Sequence, residues 1–315
     1  MTTVVACSNI ALAKYWGKRE GQGNVPAVPS LSVTLAGMTT RTTVTFDAPA
    51  DELVLNGVVD TGGALERART LLDRVRAAAA IDRFARVVSD NDFPTASGLA
   101  SSASGFAALA LAATRAAGLD WSAAAVADLA RQSSASAARS LFGGFCELVP
   151  EAAGARVAQV APEDALPLRV LVCVVTEDAK DVSSTAGMQA TRAESPYYAA
   201  WLEDAPKSFA AIRAAVLAGD LERTCALAER SALAMHASAM AAGVVYFRGT
   251  TLDVYRRVRE LRAAGRLAFA TMDAGPHVKV LTSEAEADAL AADLAGVPGV
   301  LRVITARPGP GARVA

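Results

Sequence analysis

The sequence predicts an α+β fold, on three observations. The chain has 315 residues, 52% of them apolar, enough for one large domain or two ordinary ones with real cores. Strand-like and helix-like patterns follow one another along the whole length. They mix without the strict alternation that a parallel doubly wound sheet requires.

Taken in order, residues 41–46 and 52–55 gather β-formers around turn residues, as strands do. Leu65, Ala68, Leu71, Leu72 and Val75 recur at helical spacing, so residues 63–80 read as an amphipathic helix. A strand at 84–88 leads into a Gly/Ser-rich turn, with helices at 104–117 and 122–132. Residues 170–175 form a continuous apolar run of strand length, the pattern of a buried strand. Helical patterns cover 197–217, 221–240 and 251–264; a strand at 267–272, a helix near 284–294 and a strand at 300–305 complete the chain. A polar turn at 180–184 after the apolar strand marks a domain change, dividing the chain into residues 1–182 and 183–315.

Lys+Arg 31 against Asp+Glu 32 leaves a net charge of -1, with no basic surplus to suggest a nucleic-acid partner. Attraction for an anionic ligand must then be local to a cleft. Cys7, Cys146, Cys173 and Cys225 are scattered, with no CxxC and no nearby His pair, so neither zinc nor a disulfide framework is expected. The first residues lack a basic region followed by an apolar stretch, and the most apolar run, 106–113, is too short to span a bilayer. A cytoplasmic protein with reduced thiols and no membrane partner is the expectation.

The segment Pro94-Thr95-Ala96-Ser97-Gly98-Leu99-Ala100-Ser101-Ser102-Ala103 is a Gly/Ser turn running into an apolar helix. Free backbone N–H groups and the partial positive charge of a helix N-terminus suit a phosphate there. Ser101 and Ser102 can add hydroxyl contacts to phosphate oxygens or to Mg²⁺. Alone, the segment favours the reading as an ordinary Ser-capped helix. It is no Walker loop, since no Gly-Lys-Ser/Thr follows. Its form, Pro-x-x-x-Gly-Leu-Ala-Ser-Ser-Ala, resembles the nucleotide loop of the superfamily of galactokinase, homoserine kinase, mevalonate kinase and phosphomevalonate kinase.

Five further segments narrow the resemblance: Asn9-Ile10-Ala11-Leu12-Ala13-Lys14-Tyr15-Trp16-Gly17-Lys18-Arg19, Pro29-Ser30-Leu31-Ser32-Val33-Thr34-Leu35, the run from Arg131 to Gly144, the stretch from Lys180 to Ser195, and Met272-Asp273-Ala274-Gly275-Pro276. In order and over nearly the whole chain they resemble the mevalonate diphosphate decarboxylase family. The resemblance implies a two-domain fold, with an N-terminal domain like domain 2 of ribosomal protein S5, a ferredoxin-like C-terminal α/β sandwich and the active site between them. It implies ATP as cosubstrate, Mg²⁺, a phosphorylated mevalonate as substrate and a homodimer.

By position, the resemblance makes Asp273 the group that receives the hydroxyl proton, Arg139 the grip on the substrate carboxylate and Lys14 the cation beside the reacting hydroxyl. Tyr15, Lys18, Ser134, Ser136 and Ser195 match substrate-binding positions. Ser97, Gly98, Leu99, Ala100, Ser101 and Ser102 match the nucleotide loop, with Ser102 on Mg²⁺. Read without the resemblance, Asp273 is a turn residue before glycine and Arg139 a surface charge on a helix. Two departures bear on the substrate: Val28-Pro29 replace an Asn-Ser pair common before the Ser-Leu-Ser stretch, and Pro196 replaces a basic residue found after the serine in some bacterial members. They leave open a 5-monophosphate decarboxylase as an alternative to a 5-diphosphate decarboxylase. A kinase acting at C3 is the other alternative on this fold, but relatives confined to that reaction lack the pairing of Asp273 with Lys14, which favours decarboxylation; a non-catalytic ligand sensor on the same fold is disfavoured by Asp273, Arg139 and Lys14. His236 and His277, the only histidines, receive no catalytic role.

Overall fold

The computed structural model describes residues 1–19, 24–93, 101–178 and 180–315. The chain begins with β1 (Thr2–Ala13) lying antiparallel to the long β2 (Ser30–Ala48), in register from Thr2 opposite Val44 to Ala13 opposite Leu31. The sequence patterns mark only residues 41–46 of this pair. From Ala6 onward β1 is buried on both faces, so its residues lack the apolar/polar alternation by which a strand is recognised.

Strand β2 is the hub of the N-terminal half. It also pairs with β5 (Phe84–Asn91) and β6 (Phe145–Glu151). Beyond β5 come β3 (Glu52–Leu55), parallel to it, and β4 (Val58–Asp60). A tight hairpin joins β6 to β7 (Gly154–Ala161). Helices α1 (Gly63–Ala79), α2 (Ser101–Ala116) and α3 (Ala123–Ser133) cover one face, where Leu71, Leu72 and Val75 of α1 and Val126 of α3 join Val4, Val44 and Val87 of the sheet. The buried face of α2 is nearly all alanine, which lets that helix lie close to the strands.

In the C-terminal half, β8 (Leu168–Val174) pairs with β10 (Val278–Ser283), and β10 with β9 (Phe269–Thr271). The expected buried strand is here, and its continuous apolar run has a physical cause. Val170, Val172 and Val174 pack toward α5 (Tyr198–Leu217) and α6 (Leu221–Met240), while Leu171 and Cys173 face α7 (Gly249–Ala263) and α8 (Ala287–Ala295). Helix α4 (Ser184–Glu194) leads into α5.

The last strands join the halves. Strand β11 (Arg302–Pro308) pairs with β8 along Arg302–Ala306 and with β2 through Arg307 and Pro308. One continuous sheet therefore runs β4-β3-β5-β2-β11-β8-β10-β9. Strand β12 (Arg313–Val314) closes on β1. The α+β expectation holds. The division after residue 182 leaves β8 on the N-terminal side, while both of its hydrogen-bonded neighbours lie on the C-terminal side. No described helix is long and apolar enough to cross a membrane.

Candidate active site

Where the two halves meet, a cavity of about 420 Å³ opens between the end of β1, the segment 133–139, the start of α4 and the turn after β9. Its described lining carries five cationic side chains, Lys14, Lys18, Arg67, Arg139 and Lys180, against one carboxylate, Asp273. On a chain of net charge -1, that imbalance is a local device for holding a polyanion.

Asp273 stands two residues beyond β9, on the face of the sheet that Thr271 shares with its cross-strand partner Lys279 of β10. Lys14 Nζ donates to Asp273 Oδ1 at 2.7 Å and also to the Ala11 carbonyl at 2.7 Å. Lys279 Nζ lies 3.3 Å from Oδ2, an ion pair without hydrogen-bond geometry. Withdrawal from water would raise the Asp273 carboxyl; the charges of Lys14 and Lys279 outweigh it and hold the group well below the ordinary carboxylate range. Burial lowers Lys14 from the usual lysine value, against the pull of Asp273. The backbone N–H of Lys14 donates to Ser231 Oγ of α6 at 3.0 Å, which ties this lysine to the C-terminal half.

His236 of α6 lies beneath the pair. Burial, reinforced by the charge of Lys14, pushes it down to about 3, so it is neutral. Its Nε2 lies 3.4 Å from the Met272 carbonyl, a contact that requires the proton on Nε2.

Arg139 lies in the 3-10 turn Ala135–Leu141 and is 2% exposed, which excludes the reading as a surface charge. Its Nη1 donates to Ser30 Oγ at 2.7 Å, and Asn9 Oδ1 sits 3.4 Å from Nη2. Asn9 is itself fixed by donating to Ser140 Oγ at 2.8 Å and to the Ser136 carbonyl at 3.0 Å. Burial pushes the guanidinium down to about 10, still charged at neutral pH. It faces no carboxylate at hydrogen-bond distance among the described residues, so it stands ready for an anionic ligand.

The remaining predicted residues divide. Tyr15, Lys18, Ser134, Ser136 and Ser102 line the cavity. Tyr15 Oη is buried with no partner among the described residues. Lys18 Nζ donates to Thr185 Oγ1 of α4 at 3.0 Å, and the Ser134 and Ser136 hydroxyls lie 3.2 Å apart. Ser195 lies away from the lining, at the C-terminal end of α4, with its Oγ 3.4 Å from Ser238 Oγ. Ser97, Gly98, Leu99 and Ala100 fall outside the described residues, as does the side chain of Ser101. Of the departing positions, Val28 is 1% exposed and packs with Trp16, Trp201 and Tyr246.

A second cavity, of about 230 Å³, lies between β3, β5, α1 and α2. Leu53, Leu55, Phe106 and Leu109 give it apolar walls, with Asn56 and Asn91 at the polar edge. Arg67 and Ser102 line both cavities, so an elongated ligand can occupy the two at once.

Sequence reading missed Lys279, Lys180, Arg67 and the Asn9–Ser30 support of Arg139. For Lys279 a signal exists, a lone lysine between Val278 and Val280 in a strand that must be buried. Lys180 lies inside a marked segment but carries no role there; its Nζ donates to Ser184 Oγ at 2.9 Å and to the Ala274 carbonyl at 3.3 Å. Arg67 sits on α1, whose pattern announces only an amphipathic helix.

An α+β chain with a cationic interdomain cleft, an ionised carboxylate at its centre and a second cavity continuous with it defines an enzyme for a multiply anionic substrate and an elongated cosubstrate. Residues 6–157 match the diphosphomevalonate decarboxylase-like N-terminal domain, and residues 170–299 the mevalonate 5-diphosphate decarboxylase C-terminal domain. A diphosphomevalonate decarboxylase of Candida albicans is 34% identical over 308 residues, 91% of this chain and 85% of that protein. A phosphomevalonate decarboxylase of Haloferax volcanii is 34% identical over 287 residues, 88% of this chain and 86% of its own. The solved complex of MDDEF with MVAPP, AMPPCP and magnesium superposes with a TM-score of 0.92 at 36% identity, covering 100% of this chain and 98% of that one. The chain belongs to the diphosphomevalonate decarboxylase family, whose members are carboxy-lyases, and it has that family's two-domain α+β fold.

Proposed function

We propose that the chain converts mevalonate 5-diphosphate and ATP to isopentenyl diphosphate, ADP, phosphate and CO₂. The observation that carries this reading is the ionised Asp273, open on one side to a cleft with five cations. In the proposed sequence Asp273 accepts the hydrogen bond of the tertiary 3-hydroxyl and takes its proton as the oxygen bonds to the γ-phosphorus of ATP, while the bond from that phosphorus to the β,γ-bridging oxygen breaks and ADP leaves with the electron pair. The C3–O bond then breaks, phosphate leaving with the electron pair. The electrons of the C1–C2 bond form the new double bond as CO₂ departs. Arg139 grips the C1 carboxylate until that step, and Lys14 balances charge between Asp273 and the reacting oxygen.

Lys18, Tyr15, Ser134 and Ser136 bind the remainder of the substrate, with its 5-diphosphate toward Lys18 and Thr185; Lys180 faces the transferring phosphoryl group. The apolar second cavity takes the adenine, and the triphosphate passes Arg67 and Ser102 into the cleft. The Ser102 hydroxyl is a hard oxygen donor of the kind Mg²⁺ takes, and no cluster of three His, Cys, Asp or Glu side chains competes among the described residues. When bound with the nucleotide, Mg²⁺ supplies charge neutralisation of the phosphates.

The chain divides into a nucleotide-bearing unit and a C-terminal unit carrying Asp273, with β8 belonging to the latter by its pairing. We place the enzyme in the cytoplasm, where its four free, buried cysteines stay reduced, and read it as a homodimer, testable by analytical ultracentrifugation.

Incubation with ATP and Mg²⁺ and, in turn, mevalonate, its 5-phosphate and its 5-diphosphate tests the reading. ADP and CO₂ should form together, fastest with the diphosphate. ADP without CO₂ would replace decarboxylation by a kinase reaction at C3. A preference for the 5-monophosphate would favour the second reading, which the Haloferax relative supports at an identity equal to that of the Candida enzyme.

A further inference from the structure

Among the described residues, Lys279 is the one cation of the centre that the cleft does not reach. Its side chain is 2% exposed, as buried as Lys14 at 1%, but unlike Lys14 it is absent from the cavity lining. It rises from β10, opposite Val172 of β8 and Thr271 of β9, in a strand otherwise built of core residues. A lysine in such a place is costly unless its charge is used. Its Nζ has no hydrogen-bond partner among the described residues and one ion-pair contact, Asp273 Oδ2 at 3.3 Å.

We propose that Lys279 is a positioning residue for decarboxylation, a rear cation that keeps Asp273 ionised and turned toward the substrate hydroxyl while Lys14 works on the cleft side. The proposal rests on the role given to Asp273 above. The two ammoniums divide the carboxylate between them: Lys14 holds Oδ1 with a formed hydrogen bond, and Lys279 faces Oδ2 without one. Oδ2 is itself buried, so its charge is matched from behind, while Oδ1 is the oxygen left on the cleft side for a substrate O–H. A neutral residue behind Oδ2 would let burial protonate the carboxylate. The other charged or titratable groups around Asp273 are Arg139, Lys180 and the neutral His236. None of the three makes an ion pair with it.

The test is Lys279→Met, close in shape and suited to the apolar strand, measured beside wild type and Asp273→Asn. We expect the melting temperature of Lys279→Met to hold or rise, KM for both substrates to stay within about threefold, kcat to fall 10- to 100-fold, and the acid limb of kcat to move to higher pH. A folded Lys279→Met with kcat within twofold of wild type and an unmoved acid limb overturns the proposal. Should Lys279→Met fail to fold, Lys279→Gln takes the same measurements; failure of both to fold assigns Lys279 to stability and likewise overturns it. Lys279→Arg, which restores the charge, should recover part of kcat over the neutral variants; an Arg variant no faster than the Met variant counts against a charge-based role. The underlying reading fails separately, if Asp273→Asn keeps substantial turnover.

Discussion

Asp273 is a carboxylate on the cleft wall that stays charged because one lysine reaches each of its oxygens. Asp273→Asn keeps the shape and loses the proton acceptor. ADP and CO₂ release should both disappear, a loss of about 10²-fold or more, while nucleotide binding followed by calorimetry persists. Arg139 makes a second prediction. Its planar fork suits a carboxylate in a way that an ammonium does not. Arg139→Lys should lower kcat/KM for the phosphorylated substrate about 10- to 100-fold, one charged hydrogen bond being worth roughly 1.5–3 kcal/mol, with little change in KM for ATP. Both residues were legible in sequence only through the motifs around them. By local pattern Asp273 is a turn residue and Arg139 a helical surface charge, since burial of a charge is decided by partners over a hundred positions away: Ser30 for Arg139, Lys14 for Asp273.

At the scale of elements, the start of α4 has two duties. Ser183 accepts from the Ala186 N–H at 3.1 Å as N-cap, and the same turn lines the cleft with Ser183, Ser184 and Thr185. Ser122 caps α3 in the same way but lies outside the cleft lining. Ser183→Ala and Ser122→Ala should each cost about 1 kcal/mol in urea unfolding. Only the former should also raise KM for the phosphorylated substrate. Equal KM effects would mean that α4 contributes nothing specific to the site. Apart from α4, which the sequence patterns did not mark, the helices were the readable elements, because each carries its signal within its own 3.6-residue period. Strands β1, β4, β6, β7, β10 and β12 were not: β4 and β12 are only three and two residues long, β6 and β7 are weakly patterned, and β1 and β10 are buried on both faces, which removes the alternation that marks a strand.

Across the whole molecule, pH should act on stability through His236. Its folded pKa, pushed down to about 3, lies below that of an unfolded histidine, near 6.5. Between those values the unfolded chain binds a proton that the folded chain refuses. His236 therefore leaves stability intact above pH 6.5 and removes it as pH falls below, by about 1 kcal/mol per pH unit. His236→Asn should flatten the decline in denaturation free energy between pH 7 and pH 5; an unchanged slope would show that other groups govern it. The cationic cleft is likewise a property of the assembled molecule. Lys14, Arg67, Arg139 and Lys180 come from widely separated segments, and a net charge of -1 gives no hint of their convergence.

Strand β11 gives the molecule a mechanical character. By bonding to β2 on one side and β8 on the other, it rivets together the two walls on which the chemistry is mounted. A hinge between them would have to tear backbone hydrogen bonds. The gap between Arg139 and Asp273 is therefore bridged by paired strands rather than by a free loop. Accommodation falls to the parts that carry no such rivet, the side chains of Lys18 and Lys180 and the first turn of α4. An enzyme that must break a carbon–carbon bond once phosphate has departed gains from such a bridge, because the strands that support the groups for the carboxylate and the hydroxyl belong to one sheet.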